Sequence, residues 1–583
     1  LVEELPGPIP YLLRVGVTGH RQLADEATVA AAIERLLEHI DQALSSAPWD
    51  PQASPSAPMP LHWLVISPLA KGADRIVARL VLRRPCSRLR VVVPLSLDEY
   101  RKDFDTAEDL AEFEELLQFD PDPIQLGSTE FVAEGTAKPE ARNAAYFGVG
   151  RKIVDECELL IAVWDGQVAA GHGGTGEIVQ YALDQGRPVL WINPQDPGRE
   201  AVLLRPTSHP KQAAGPLPDC AAERLPATAK ALSLNFHQLA AYHRDAAFDA
   251  REYLEILQRN SQHLQRDADR ANLPASSLDC LLQRLLPHYA RADQLALHYQ
   301  RLYLRTAVAL YGLAAFAVSI AAVQVLFFPE QLWLIAFEIA AMLTAVVLWR
   351  LSRREAWHEK WLHDRHLAEQ LRTMLFTTLL GRDRNRAWEQ SHRILAFYRG
   401  PDTWVRDAHA HLLSIAMECQ PKNIPLAALK RFVIDGWISS QADWHAKNGQ
   451  QKETAARRAR WVGISLFVTT LIMATLHLLG VGHGQHGDHA EGFPVGNVIT
   501  CLAIILPAWG AAVHAVNVLR DRERIAARSH RMSHVLRRIA DRADRASSLD
   551  ELRAQVARAE EVMATENLEW WVSLSFRELE LPA

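Results

Sequence analysis

Three short segments hold the side chains best suited to gripping a phosphate or a ribose. They are Thr18-Gly19-His20-Arg21, the run SPLAKGAD from Ser67 to Asp74, and the loop DGQVAAGHGGTGE that ends at Glu177. Thr18, His20 and Arg21 offer donors to an anion, and Gly19 permits a close backbone approach. Ser67, Gly72 and Asp74 are the candidates in the second segment. In the third, Gly173, Gly174 and Gly176 expose backbone N–H groups, Thr175 adds a hydroxyl, and Glu177 stands where a helix begins. Backbone N–H groups at a helix N-terminus attract anions. A lone Gly-rich turn is usually structural, so a ligand site requires all three segments to reach one place.

Each segment follows a run with strand character. LRVGVTG, LHWLVIS and LRVVVPL read as buried strands, PIQLG as a short fourth, then LLIAVWD and PVLWIN. Helical patterns lie between them, over about 26–44, in GADRIVARLVL, over 141–157 and in EIVQYALDQG. Strands rich in Val, Leu and Ile that alternate with helices imply an α/β Rossmann-like parallel sheet covered on both faces. In such sheets ligands bind beyond the C-terminal strand ends. Tyr146 and Arg151 either reach that crevice or are a packed Tyr and a solvated Arg. Trp164 either stacks on a base or, as strand-end tryptophans more often do, joins the core.

VGVTGHR, SPLAKGADRIVA, VVPLSLDEYRKDF and IAVWDG…GGTGEIVQYA together resemble the SLOG superfamily of Rossmann-like domains, over about residues 10–195. In that superfamily the Gly-rich loop contacts nucleotide phosphates. The resemblance implies this role for Gly173, Gly174, Thr175 and Glu177, with Gly19, His20 and Arg21 facing them. The expected ligand is nucleotide-derived, of the NAD/ADP-ribose or nucleoside-monophosphate type, with no other cofactor. Hydrolase members resemble P-G-G-x-G-T-x-x-E, with Glu three positions after Thr. Here Glu177 follows Thr175 by two, which favours binding without turnover. The alternative is a membrane-anchored nucleotide or nucleoside-monophosphate hydrolase with Glu177 as its catalytic carboxylate.

The rest of the chain is organised by the bilayer. Neither Lys nor Arg occurs between Thr306 and Trp349, and the run divides at Phe328-Pro329-Glu330-Gln331. A second such stretch runs from Trp461 to Leu519 and divides at GVGHGQHGDHAEGFPVG. Each half can cover the roughly 20 residues that a span requires, and Trp333 and Trp349 suit interfacial belts. The expectation is two transmembrane hairpins, four spans in all. Arg301, Arg305, Arg350, Arg353 and Arg354 bracket the first; Arg457, Arg458, Arg460, Arg520, Arg522 and Arg524 bracket the second. Positive residues stay inside, which places both termini in the cytoplasm of a bacterial inner membrane. The opening LVEELPGPIP has no basic start and no apolar core, so the hairpins themselves are expected to direct insertion.

The domain reading is therefore a nucleotide-binding sheet at 10–195, a linker at 196–238 and a helical stalk at 239–305. An all-α transmembrane region follows: the first hairpin at 306–350, cytoplasmic helices at 351–460, the second hairpin at 461–519 and C-terminal helices at 520–583. The stalk either transmits displacement or is a passive support. The six scattered cysteines imply neither a disulfide framework nor a zinc site. A net charge of -6 and arginines accounted for by topology argue against nucleic acid as a partner.

The pattern W…R-x-x-A-E-x-L-R, containing Trp361, Arg365, Glu369 and Arg372, resembles the SLATT family of membrane effectors associated with SLOG domains. FVIDGWISSQADWHAKN, the helix over 520–545 and ENLEWWVSLSFRELELP are similar to that family's flanks. SLATT regions usually have one hairpin, so the second is either a duplication or of separate origin. Joined to the SLOG likeness, this implies a homo-oligomeric, nucleotide-gated pore in a prokaryotic conflict or antiphage system. Within the spans Glu338 either lines a pore or glues helices together, and His477 and His514 are milder candidates. His483, His486, His489 and Asp488 have metal-ligand chemistry, but an exposed Gly-rich setting favours a plain solvated loop.

Overall fold

A computed structural model describes residues 7–45, 59–127, 139–167, 174–206, 220–225, 232, 234–274, 276–381, 404–421, 423–482, 495–575 and 579–580. The chain divides into two compact units. The first, 7–246 with 398–411, is built on one eight-stranded sheet of order β4-β3-β2-β1-β5-β6-β7-β8. Its strands are β1 (Tyr11–Gly19), β2 (Leu61–Ser67), β3 (Ser87–Val93), β4 (Ile124–Gln125), β5 (Leu159–Val163), β6 (Val189–Ile192), β7 (Val202–Pro206) and β8 (Cys220–Arg224). From β4 to β6 the pairing is parallel, as the alternation of strands and helices predicts. Every residue of β5 is buried, as expected of a strand covered on both faces.

Helices α1 (Glu26–Ser45), α2 (Ala73–Leu82), α3 (Leu97–Tyr100), α4 (Ala107–Leu117), α5 (Pro139–Glu156) and α6 (Thr175–Asp184) intervene. One core cluster joins β5 and β6 to α5 and α6 through Val149, Ile153, Leu160, Ile178, Val179 and Val189. The register Gly19↔Val163 and Gly16↔Ile66 sets the C-terminal ends of β1, β2 and β5 side by side.

The linker expected at 196–238 is part of this unit. β7 pairs antiparallel with β6, and β8 with β7, and Leu203, Leu204 and Cys220 are buried. The helix α7 (Leu234–His243) follows. Pro and small residues mask these strands in the sequence, and the open edge of β6 recruits them.

The second unit contains 247–397 and 412–583, and is helical. Its elements are α8 (Ala250–Ala271), α9 (Ser276–Arg284), α10 (Leu286–Phe327), α11 (Trp333–Arg354) and α12 (Trp357–Thr377). Then come α13 (Trp404–Glu418, of which the part up to His411 belongs to the sheet unit), α14 (Leu426–Val433), a π-helical turn at Ile434–Ser439, α15 (Ser440–Leu478), α16 (Val495–Leu519), α17 (Arg522–Asp544) and α18 (Leu549–Ser575). Among the described residues, four helices are long and apolar enough to cross a membrane: Leu286–Phe327, Trp333–Arg354, Leu426–Leu478 and Val495–Asp544. Along them Phe316, Phe337, Leu343, Phe467, Leu471 and Ile504 are exposed, the pattern of helices that face lipid rather than water.

An architectural repeat underlies the two hairpins. In each, a long helix (α10, α15) pairs with a second span (α11, α16). A third helix (α12, α17) then packs back along the long one. One residue in the left-handed region turns the chain between the second and third, Ala356 at φ 51° and Asp521 at φ 44°.

The expectation for the cysteines is corrected. Cys280 on α9 and Cys419 after α13 form a disulfide, with Cα atoms 5.4 Å apart and a sequence separation of 139. Their spacing carries no hint of this, because only helix packing brings the two together.

Candidate functional site

β1 ends in Thr18-Gly19, and the chain turns directly beneath the start of α2. The Ala73 N–H donates to the His20 carbonyl at 3.2 Å, and the His20 N–H donates to the Val163 carbonyl at 3.1 Å. Beyond β5 the Asp165 N–H donates to His20 Nε2 at 3.1 Å. His20 thus clasps two strand-end loops together, and its backbone carbonyl holds the start of α2. A Cβ on Gly19 would lie 2.4 Å from Ala73 Cβ, so the close backbone approach expected there is that of α2. Gly72 has φ 83°, and a Cβ there would meet the His20 and Arg21 carbonyl oxygens at 2.6 Å. Both positions demand glycine to seat α2 on β1.

Ser67 is fully buried, and its Oγ accepts from the Leu69 N–H at 3.0 Å. It forms the turn and offers nothing outward. Thr18 is half-buried within β1.

Asp74, in the first turn of α2, is the most telling group. It is 5% exposed, and its Oδ1 has no hydrogen-bond partner among the described residues. Burial drives its pKa up to about 7, against the opposing pull of Arg21, a backbone hydrogen bond from Ala70, and Arg75. Burial, followed by the Asp74 charge, also pushes Tyr100 well above the ordinary phenol range. Tyr100 donates to the Pro68 carbonyl at 3.0 Å. Arg75 is buried over the Phe104 ring and pairs with Glu112 at 2.9 Å.

Two guanidinium groups lie against one aromatic ring. Arg21 and Arg142 lie 5.3 and 6.0 Å from the Tyr146 ring centroid, and Arg142 also pairs with Asp103. Of the two alternatives for α5, Tyr146 therefore belongs with the crevice residues. Arg151 does not: it is exposed and lies 5.0 Å from the Tyr181 ring. Trp164 is core, with Nε1 donating to the Gln167 carbonyl at 2.8 Å. Asp74, Tyr100 and Arg142 complete what Arg21 begins; Tyr100 stands in the run VVPLSLDEYRKDF without having been singled out, and Arg142 carried no motif.

The third segment is described from Gly174 onward; Gly173 lies outside the described residues. Gly174 caps α6 without a side-chain bond, and its carbonyl accepts from the Glu177 and Ile178 N–H groups at 3.0 and 3.3 Å. Thr175 and Glu177 are half-buried in the first turn, at the positive end of the helix.

In the helical unit, Arg365 and Glu369 pair one turn apart on α12, with Glu369 buried and Arg365 half-buried. Glu369 bonds both Arg365 and Arg372. Arg365 reaches Asp293 on α10 at 3.4 Å, and Arg372 reaches Gln441 on α15 at 3.2 Å. Burial alone would raise Glu369, but Arg365 and Arg372 outweigh it and hold the carboxylate below its usual range. Burial holds the nearby His366 and His445 down at about 4. One ionic network therefore ties together the long helices of both repeats.

Glu338 is half-buried only five residues after Trp333. That is about 7.5 Å along the helix, nearer the turn between α10 and α11 than the middle of the span. His477 meets Thr500 across the second hairpin at 3.2 Å. His483, His486, Asp488 and His489 lie outside the described residues. Compared with protein-family models, curated proteins and solved structures, the chain matches none.

Proposed function

We propose that this chain is a membrane effector whose sheet unit binds a nucleotide-derived ligand and whose spans respond to it. The observation that carries the reading is the Asp74 carboxyl: buried, with one oxygen unpartnered, beyond the C-terminal strand ends where Arg21 and Arg142 lie against Tyr146. A lone buried acceptor is costly until a donor reaches it. A ribose hydroxyl is such a donor, and guanidinium groups suit the attached phosphate. The first turn of α6 adds a second anion-favouring end. For gating, the ligand must prefer one arrangement of the spans over another. The buried Asp293–Arg365–Glu369–Arg372 network is the element best suited to having two arrangements. The SLOG and SLATT likeness supports a role in prokaryotic conflict, with the chain acting as a homo-oligomer in the inner membrane.

The test uses the full chain in liposomes with nucleoside monophosphates, NAD and ADP-ribose. Binding without release of base, with ligand-dependent leakage that Arg21→Ala abolishes, is the expected result. Steady base release that Glu177→Gln stops would replace this reading with the hydrolase. Absence of binding by all of these nucleotides would end both.

A further inference from the structure

The second hairpin holds a cavity of about 890 Å³ between α15, α16 and the start of α17. It has two chemically distinct ends. Ile464, Phe467, Leu506, Pro507 and Val513 line its apolar part, while Arg460, Arg522 and Arg524 stand at the other with Asp521 and Glu523. On α16 the lining runs from Leu506 to Val518, about 18 Å along a helix axis. Two glycines keep it open. A Cβ on Gly463 would meet nothing within 4 Å, and one on Gly510 would come no closer than 3.9 Å to Leu466.

The polar end has an excess of positive charge. Arg460 pairs with Glu523, and Arg524 lies 4.0 Å from Asp521. Among the described residues, no carboxylate forms an ion pair with Arg520, Arg522 or Lys452. Arg522 has only the Ala455 carbonyl, at 3.5 Å, and Arg520 Nε is buried without a partner. Burial, then Arg522 and Arg520, hold the Lys452 ammonium below its ordinary value. These cations crowd one another at the point where the apolar span begins.

We infer that this cavity is a binding site for an anionic phospholipid, its phosphate among Arg460, Arg522 and Arg524 and an acyl chain along the groove toward Leu506. A phosphate supplies the missing negative charge, and a hydrocarbon tail matches the apolar length beneath it. Neither a soluble anion nor a neutral lipid satisfies both ends. The site lies apart from the strand-end crevice and stands whether or not that crevice binds a nucleotide.

The experiment is native mass spectrometry of the full chain in neutral detergent, titrated with phosphatidylglycerol, phosphatidylcholine or glycerol phosphate. Phosphatidylglycerol should be retained in preference to phosphatidylcholine, and glycerol phosphate should not compete. Arg522→Gln should weaken phosphatidylglycerol roughly fivefold, the worth of one cation at a membrane surface. Gly463→Leu leaves every charge in place and fills the groove, so it should weaken both lipids while keeping their order. Equal retention of the two lipids would overturn the proposal, as would an Arg522→Gln protein that binds phosphatidylglycerol unchanged. So would glycerol phosphate competing as well as the lipid does, or Gly463→Leu having no effect.

Discussion

The Arg14 guanidinium on β1 donates to the Asp407 carboxylate at 2.6 Å, across 393 residues of sequence. Glu158 takes the other side of Arg14 at 3.0 Å and also bonds the Tyr11 hydroxyl. This buried group fastens the start of α13, through Asp407, to β1. Without Asp407, Arg14 keeps Glu158 as a carboxylate partner, so the cost should fall below the roughly 3–5 kcal/mol of a buried charge left with no partner. Asp407→Ala should therefore lower the thermal midpoint of the sheet and expose the start of α13, from Trp404, to limited proteolysis. A variant with unaltered melting and cleavage would show that the pair holds nothing.

Asp74 makes stability depend on pH in a defined direction. Its carboxyl rises from 3.8 to about 7 on folding, so the native state favours the proton. That contribution is complete below pH 3.8 and is lost as pH climbs through about 7. Its scale is a few kcal/mol, at about 1.4 kcal/mol for each pH unit separating the folded and unfolded pKa. Asp74→Asn should remove this decline, so melting curves of the two proteins converge in acid and separate above neutrality. If a ribose hydroxyl donates to the ionised carboxylate, nucleotide affinity should rise through the same window in wild type only. Isothermal titration at several pH values measures it.

The disulfide between Cys280 and Cys419 closes a loop across 139 residues. In the chain-entropy view a closure of this length stabilises by about 4–5 kcal/mol. Reductant should lower the melting midpoint of wild type, and Cys280→Ser should be equally low and indifferent to reductant. Thiol counting by alkylation and intact mass would reveal a chain without the bond.

Ala356 and Asp521 occupy the left-handed region at corresponding places in the two repeats. A non-glycine residue there costs roughly 1–2 kcal/mol, less for Asp than for Ala. Ala356→Gly should stabilise by about 1 kcal/mol and Asp521→Gly by less, read as an upward shift in melting. Val at either position should do the reverse.

Features that depend on neighbouring residues were legible in the sequence. Runs without Lys or Arg mark the four membrane-length helices, because hydrocarbon excludes charge along a fixed length of helix. Alternating strand and helix patterns mark the parallel sheet, and glycines at strand ends mark its C-terminal edge. The chain alone did not reveal that Gly19 and Gly72 serve helix packing, or that Ser67 is spent on a turn. It also hid β7 and β8, which exist because β6 has an edge to cover.

Only the tertiary structure decided which polar groups are left unsatisfied. Arg14 meets Asp407, Cys280 meets Cys419, and Asp74 is buried with one oxygen unmatched. Such outcomes turn on burial and on partners distant in the chain. The strength of a charge or hydrogen bond is set by the solvent excluded around it, and no local pattern of residues records that exclusion.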